Sequence, residues 1–510
     1  MAHKPEPATH ATITNPLAGL GEVEKRVLSY AASIGLEFGF SLLAAATEMV
    51  EEPLAESLER LVHKGILKEL NWGDTYAFVQ VVTLAQAYRD ISSSRLRVIH
   101  KKVAEAYEKL HPDPTPDMIP EMGRQFHLGE VHDKSLLYNR YAARLAIGAF
   151  SPDVAIRHLE RAREDLEALH GDHRLETADV LKEIGEQYSV MGDDARADEF
   201  YGESLKKLPQ EEVTLRALLL LSRANAVREM DNLGLMRQYC EKAIQLLEKV
   251  GHKKGLAMAH RTLSRAAFKE GRAEEGKREI EITLGLLDPE RDANEVARCY
   301  IELGNVLSSM PSSADQVKGI DCYRSAIQSL EALHDYKELA RAHNNLATSM
   351  VESQPREALK ELMVARGYAE KGKDRRFVGW VLFNTVEPHL ALGEDKEAAR
   401  NNDEARRIIS KFSDPVAMQH IAFNDGVIAH YQRRYEDSER AYMESLRQAE
   451  NIGYPMETVE VLIYLATNYA DWGKKGEAIK TFARIREVGE DMIEPVVRTN
   501  YERLKKLLGI

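Results

Sequence analysis

Eight residues, GRAEEGKR (271–278), come nearest to a chemical motif in this chain. Gly271 is followed, after four residues, by Gly276 and Lys277, the spacing of a loop whose backbone N–H groups cradle phosphate. Such a loop wants Ser or Thr next, to ligate Mg²⁺, and this chain has Arg278. It also follows a buried strand and opens a helix. The preceding AMAHRTLSRAAFKE has helical period and no strand signal. No bound nucleotide is expected here.

Other chemistries are no better supplied. His127 and His132, in FHLGEVH, are five apart and off a common helical face. His170 and His173 read as helix-end residues facing the dipole or solvent. No HExxH and no paired Cys/His spacing occurs, so no metal is expected. Cys240, Cys299 and Cys322 form no CxxC pair and read as small core residues of a reduced, cytoplasmic protein. There is no GxSxG elbow, and the carboxylates fall on solvated helix faces. The expectation is a protein with no catalytic residue and no cofactor.

Binding is the better question, and it depends on the elements beneath. Internal similarity recurs about every 40 residues. Ile184-Gly185, Gly192, Ala197, Tyr201 and Leu205 set one copy. Leu263-Ser264, Gly271, Gly276, Ile280 and Leu284 set another, and Leu465-Ala466, Tyr469, Gly473, Ala478 and Phe482 a third. Leu303-Gly304 with Tyr323, Leu346-Ala347 with Leu362, Gly393 with Ala398, and Gly426 with Tyr442 mark further copies. Small residues sit where two helices approach closely, and large ones fill the gap. Each unit is two helices that cannot bury an apolar face alone and must stack on neighbours. Within this frame Gly271 is an inter-helix turn, like Gly192, Gly393 and Gly473, and Gly276 is a packing site, like Ala197, Ala398 and Ala478.

The pattern I-G-x-x-Y-x-x-x-G-x-x-x-x-A-x-x-x-Y (184–201) resembles the tetratricopeptide repeat, and the resemblance covers roughly 135 to 490. The 40-residue period, longer than the family's usual one, is similar to the sensor regions of MalT-type and Rap-type regulators. It implies about nine helical hairpins in a superhelix, with 491–510 as a capping helix carrying Val496, Val497, Tyr501, Leu504 and Leu508. The groove of such a superhelix is lined by the first helix of each hairpin. Positions there that point away from packing are Asn225, Arg228, Arg261, Arg265, Arg298, Asn305, Arg341, Asn344 and Asn345. Asn can hold peptide backbone, and Arg can hold carboxylates bidentately. The same stripe also reads as an ordinary solvated helix face with salt bridges inside each repeat. Trp380, Phe383, Phe423 and Tyr431 read either as core or as an apolar partner patch.

The head lacks the period. Helices are expected at 21–34, 38–49 and 53–65, then a hairpin, ILKELN and TYAFVQ, turning at Trp72-Gly73-Asp74. That order resembles the winged helix that follows the ATPase module in STAND-type signalling proteins; the ATPase module itself is missing, and Gln80 stands where that family has His. The expected division is a tail at 1–16, a winged helix at 17–81, a helical linker at 82–134, repeats at 135–490 and the cap. A winged helix invites DNA binding. Over residues 1–110, however, about 12 Lys and Arg face about 14 Asp and Glu, a poor balance for phosphate contacts.

Across all 510 residues the net charge is −13, with 44% hydrophobic and 30% charged residues. This is a soluble, folded composition without a broad basic surface. No stretch has the apolar length of a membrane span, and the N-terminus lacks a signal peptide's apolar core. The reading is an all-α, tetratricopeptide-like scaffold or sensor that binds a protein or peptide. The alternatives are a ligand-controlled transcription regulator and a regulatory subunit acting on a separate NTPase.

Overall fold

The computed structural model describes residues 17, 19–229, 232–310, 312–412, 414–453, 455–490, 493 and 495–509, without the side chains of 228, 229, 495 and 496. The expected tail at 1–16 and the side chains of Arg228 and Val496 thus lie outside the described residues. The chain divides into two compact units, 1–232 and 233–510. Among the described residues, no helix is long and apolar enough to cross a membrane.

The first unit opens with α1 (Glu22–Ile34), β1 (Glu37–Gly39), α2 (Phe40–Thr47), α3 (Glu51–His63), β2 (Leu67–Leu70) and β3 (Thr75–Phe78). Glu24 folds back on the Gly21 N–H at 3.0 Å and so fixes the start of α1. Val27, Leu28 and Ile34 of α1 are buried with Leu54, Leu58 and Leu61 of α3 in one core. The three strands are antiparallel in the order β1-β3-β2, with Phe38 opposite Tyr76 and Leu67 opposite Phe78. Glu37–Gly39 is thus a strand, where helical period alone expects the second helix to begin at 38. Phe38 is buried and stacks on Tyr76, with ring centroids 6.2 Å apart, a long-range contact that overrides local propensity. At the hairpin tip Asn71, Trp72 and Gly73 all have positive φ, and Trp72 is fully exposed.

Helices follow: α4 (Val81–Arg89), α5 (Ser93–Leu110), α6 (Ile119–Leu128), α7 (His132–Gly148), α8 (Pro152–Ala168), α9 (Arg174–Val190), α10 (Asp194–Lys207) and α11 (Val213–Glu229). Here α7 packs on α8, and α9 on α10, as antiparallel hairpins.

The second unit runs α12 (Leu233–Val250), α13 (Lys253–Lys269), α14 (Ala273–Leu286), α15 (Ala293–Ser308), α16 (Ser313–Leu333), α17 (Tyr336–Thr348) and α18 (Pro355–Lys371). It continues with α19 (Arg375–Asn384), α20 (Val386–Ala391), α21 (Asp395–Ile409), α22 (Pro415–Tyr431), α23 (Tyr435–Ile452), α24 (Pro455–Asp471), α25 (Lys475–Val488) and α26 (Pro495–Leu508). Its hairpins are α13/α14, α15/α16, α17/α18, α19–α20/α21, α22/α23 and α24/α25; α26 packs on α24 and buries Val497, Tyr501, Leu504 and Leu508. The fold is all-α with tetratricopeptide-like hairpins, beside one small sheet.

One joint repeats inside the hairpins. A Cβ added at Gly185 would lie 2.8 Å from the Tyr201 ring, and one at Gly304 would lie 2.5 Å from that of Tyr323; Gly426 is covered in the same way by Tyr442. A glycine on the first helix is therefore the space that the second helix's tyrosine fills. Where the second helix carries Ile280 or Leu362, the first carries Ser264 or Ala347 instead. The first helix of one hairpin is broken at Thr385, between α19 and α20. Pro388 has no N–H for the Asn384 carbonyl, so the ladder is interrupted. The hydroxyl of Thr385 donates to the Leu382 carbonyl at 2.6 Å, and Asn424 Nδ2 donates to the Phe383 carbonyl at 2.9 Å.

Candidate binding face

GRAEEGKR occupies the turn and first residues of α14. Gly271 turns at φ +71°, as Gly192, Gly393 and Gly473 turn at +78°, +79° and +83°. Arg272 N–H donates to the Ala267 carbonyl at 2.8 Å, so this turn's backbone closes the preceding helix. Gly276 faces α13, where a Cβ would lie 3.3 Å from the Ser264 carbonyl, and Ser264 Oγ donates to the Gly276 carbonyl at 2.8 Å. Gly271 is thus a turn residue and Gly276 a packing site. Lys277 lines an open cleft of about 380 Å³ with Leu303, Leu307 and Cys322. Burial pushes the Cys322 thiol up to about 11, which disfavours the thiolate.

Asn225 lies half-buried on α11 of the first unit. Arg261, Arg265, Arg298, Asn305, Arg341, Asn344 and Asn345 lie on α13, α15 and α17 of the second. Each arginine meets carboxylates. Arg261 contacts Glu295 and lies 3.7 Å from Glu302, while Arg265 Nε donates to Glu302 Oε1 at 2.8 Å. Arg298 lies 3.1 Å from Glu295, 3.6 Å from Asp335 and 3.5 Å from Glu338, which also accepts from Arg341 at 3.2 Å. Burial opposes the charge on Arg261, but Glu302 and Glu295 outweigh it and leave the pKa raised.

The asparagines form a parallel chain. Asn305 Oδ1 accepts from Tyr323 Oη at 2.8 Å and from Asn345 Nδ2 at 2.9 Å. Asn344 Nδ2 donates to Asn345 Oδ1 at 3.2 Å, and Asn384 Nδ2 donates to Asn344 Oδ1 at 2.9 Å. Sequence reasoning missed Glu295, Glu302, Asp335, Glu338, Asn384 and Asn424. The signal was present: Arg261–Glu302, Asn305–Asn345, Asn344–Asn384 and Phe383–Asn424 are separated by one repeat length.

The aromatic residues divide. Phe383 is buried, Phe423 packs edge-on against Tyr464 at 4.9 Å, and Tyr431 is exposed. Trp380 Nε1 and Arg376 Nε donate to Asp414 Oδ2 at 2.8 and 2.7 Å. His420 stacks on Phe383 with centroids 5.6 Å apart, and burial pushes its pKa down to about 4. The helix face thus carries polar side chains held in place by one another, next to a neutral imidazole on an aromatic base.

The histidines considered for metal take a different arrangement. His127 Nδ1 and His132 Nδ1 approach Asp165 Oδ1 at 3.1 and 2.9 Å, and Ser135 Oγ donates to Asp165 Oδ2. His173 Nε2 lies 3.2 Å from the His170 carbonyl. Among the described residues, no group of three or more His, Cys, Asp or Glu is placed to hold a metal ion.

No family model and no curated protein matches the chain. Solved structures similar to it include aspartyl phosphate phosphatase F from Bacillus subtilis, at 15% identity over 70% of this chain and 94% of that chain, with a TM-score of 0.48. A Signal Transduction ATPase with Numerous Domains protein with a tetratricopeptide repeat sensor, from Pyrococcus horikoshii, matches at 15% identity over 87% and 67%, with a TM-score of 0.43. A Rap protein complexed with competence and sporulation factor matches at 13% identity over 66% and 99%, with a TM-score of 0.44. Each of these TM-scores lies below 0.5.

Proposed function

We propose that this protein is a non-catalytic scaffold or sensor that holds a peptide or protein segment against the first helices of its second unit. The observation that supports this reading is the polar chain from Arg261 to Asn384, fixed by its own ion pairs and amide contacts. Side chains already ordered lose little entropy when a ligand arrives. Their remaining lone pairs and N–H groups match a peptide's alternating donors and acceptors. Residues 135–490 are the repeat region in this proposal, 82–134 the helical linker and 491–510 the cap.

The head, 17–81, is proposed as a winged helix that serves as a packing module. Arg60 Nε and Lys64 Nζ of α3 both reach Glu24 of α1 at 3.0 Å, so these cations already have a carboxylate partner. That arrangement favours packing over a DNA contact.

The test begins with affinity purification and mass spectrometry on the wild-type chain, to identify what it captures. Arg261→Glu with Arg265→Glu is expected to abolish that capture. Because these changes also set four negative side chains together, Arg341→Ala with Asn345→Ala serves as the milder pair, with helicity checked by circular dichroism. Wild-type binding by both pairs overturns the proposed face.

A further inference from the structure

The face shared by α6 and α8 in the first unit breaks the charge pattern seen elsewhere. His127 on α6 meets Asp165 on α8 at 3.1 Å. Gly123 on α6 and His158 on α8 both meet Asn139: a Cβ at Gly123 would lie 3.0 Å from Asn139 Oδ1, and His158 Nδ1 lies 2.8 Å from it. These contacts fix the two helices side by side and parallel. One turn before His127 is Arg124, and one turn before Asp165 is Arg161. An arginine is therefore set against an arginine.

Their surroundings differ. Arg124 is bidentate on Glu121, with Nε to Oε2 at 2.8 Å and Nη2 to Oε1 at 2.6 Å. Gln125 Nε2 also donates to Glu121 Oε1, at 2.7 Å. Glu164 faces His127 Nε2 at 3.2 Å; Glu121 and Glu164 both favour the charge on Arg161 through space, but neither forms an ion pair with it. Arg161, half-buried, has no ion-pair or hydrogen-bond partner among the described residues. Arg157, four residues earlier on the same face, has only Asp153 at 3.8 Å. Burial and then Arg124 hold the Arg161 pKa below its usual value. Like charges at this helical spacing are unfavourable until something neutralises them.

We propose that Arg161 and Arg157, flanked by Arg124, bind a phosphoryl group. The guanidinium fork suits a tetrahedral oxyanion bidentately. Two weakly compensated cations match a phosphoryl dianion better than a single carboxylate charge. The site lies in the first unit, uses none of the residues of the proposed peptide face, and stands or falls separately from it.

The test is isothermal titration of the full chain at fixed ionic strength with inorganic phosphate, acetate, a phosphoserine peptide and its unphosphorylated form. Saturable phosphate binding is expected in the wild type, at least tenfold weaker binding in Arg161→Gln, and intermediate binding in Arg161→Lys. The Tm of Arg161→Gln in chloride is expected to be unchanged or raised, because a repelling charge is gone; an arginine held for structure would lower it. A phosphopeptide that binds more tightly than phosphate assigns the site to a protein-borne group, and equal binding assigns it to a free phosphate compound. Acetate binding as well as phosphate, undiminished binding by Arg161→Gln, or no phosphate binding by the wild type overturns the proposal.

Discussion

Two regions of the molecule handle polar groups differently on similar hairpins, one in the first unit and one in the second. The first gathers them into a buried knot: Asp165, fully buried, holds His127, His132 and Ser135, and Asn139 holds His158. The second lays them out along α13, α15 and α17 as half-buried pairs such as Arg265–Glu302 and Arg298–Glu338. Burial separates the two. A carboxylate without water depends wholly on its protein partners, whereas a half-exposed pair can exchange one partner for water or for a ligand. The knot is thus suited to holding helices together, and the row of pairs to binding.

Substitutions sharpen this contrast. Asp165→Ala leaves two imidazoles and a hydroxyl without their acceptor, and is expected to cost about 3 kcal/mol or more in urea unfolding. Glu302→Ala removes the acceptor of Arg265 and a carboxylate 3.7 Å from Arg261; with Glu295 still beside Arg261, a loss of about 1 kcal/mol is expected. Arg341→Ala removes a pair whose arginine side chain is 54% exposed, and the change in stability is expected to stay within about 0.5 kcal/mol, measured the same way. If Asp165→Ala costs no more than Arg341→Ala, the distinction between knot and row collapses.

The repeats were legible because their contacts recur at a fixed separation. Gly185 with Tyr201, Gly304 with Tyr323 and Gly426 with Tyr442 announce a close approach and the ring that fills it. The same period placed Gly271 and Gly276 as turn and packing sites, and the structure finds them there. In the head, no period relates Phe38 to Tyr76 or Arg60 to Glu24, 36 residues apart, and Phe38 and Gly39 of β1 were read as helix. The arginines and asparagines of the candidate face were visible as a stripe. Their acidic partners were not sought, although each lies about one repeat away.

By itself the sequence determined the hairpins, their turns and the small-against-large joints, since these follow from helical period and side-chain volume within 20 residues or so. Tertiary structure alone decided which charges meet. Arg161 and Arg265 are both arginines one turn from a buried position, and nothing local tells them apart. Arg265 faces Glu302 on the first helix of the next hairpin, and Arg161 faces Arg124. Charge pairing depends on the register between helices distant in sequence, and that register is fixed only when the whole stack packs.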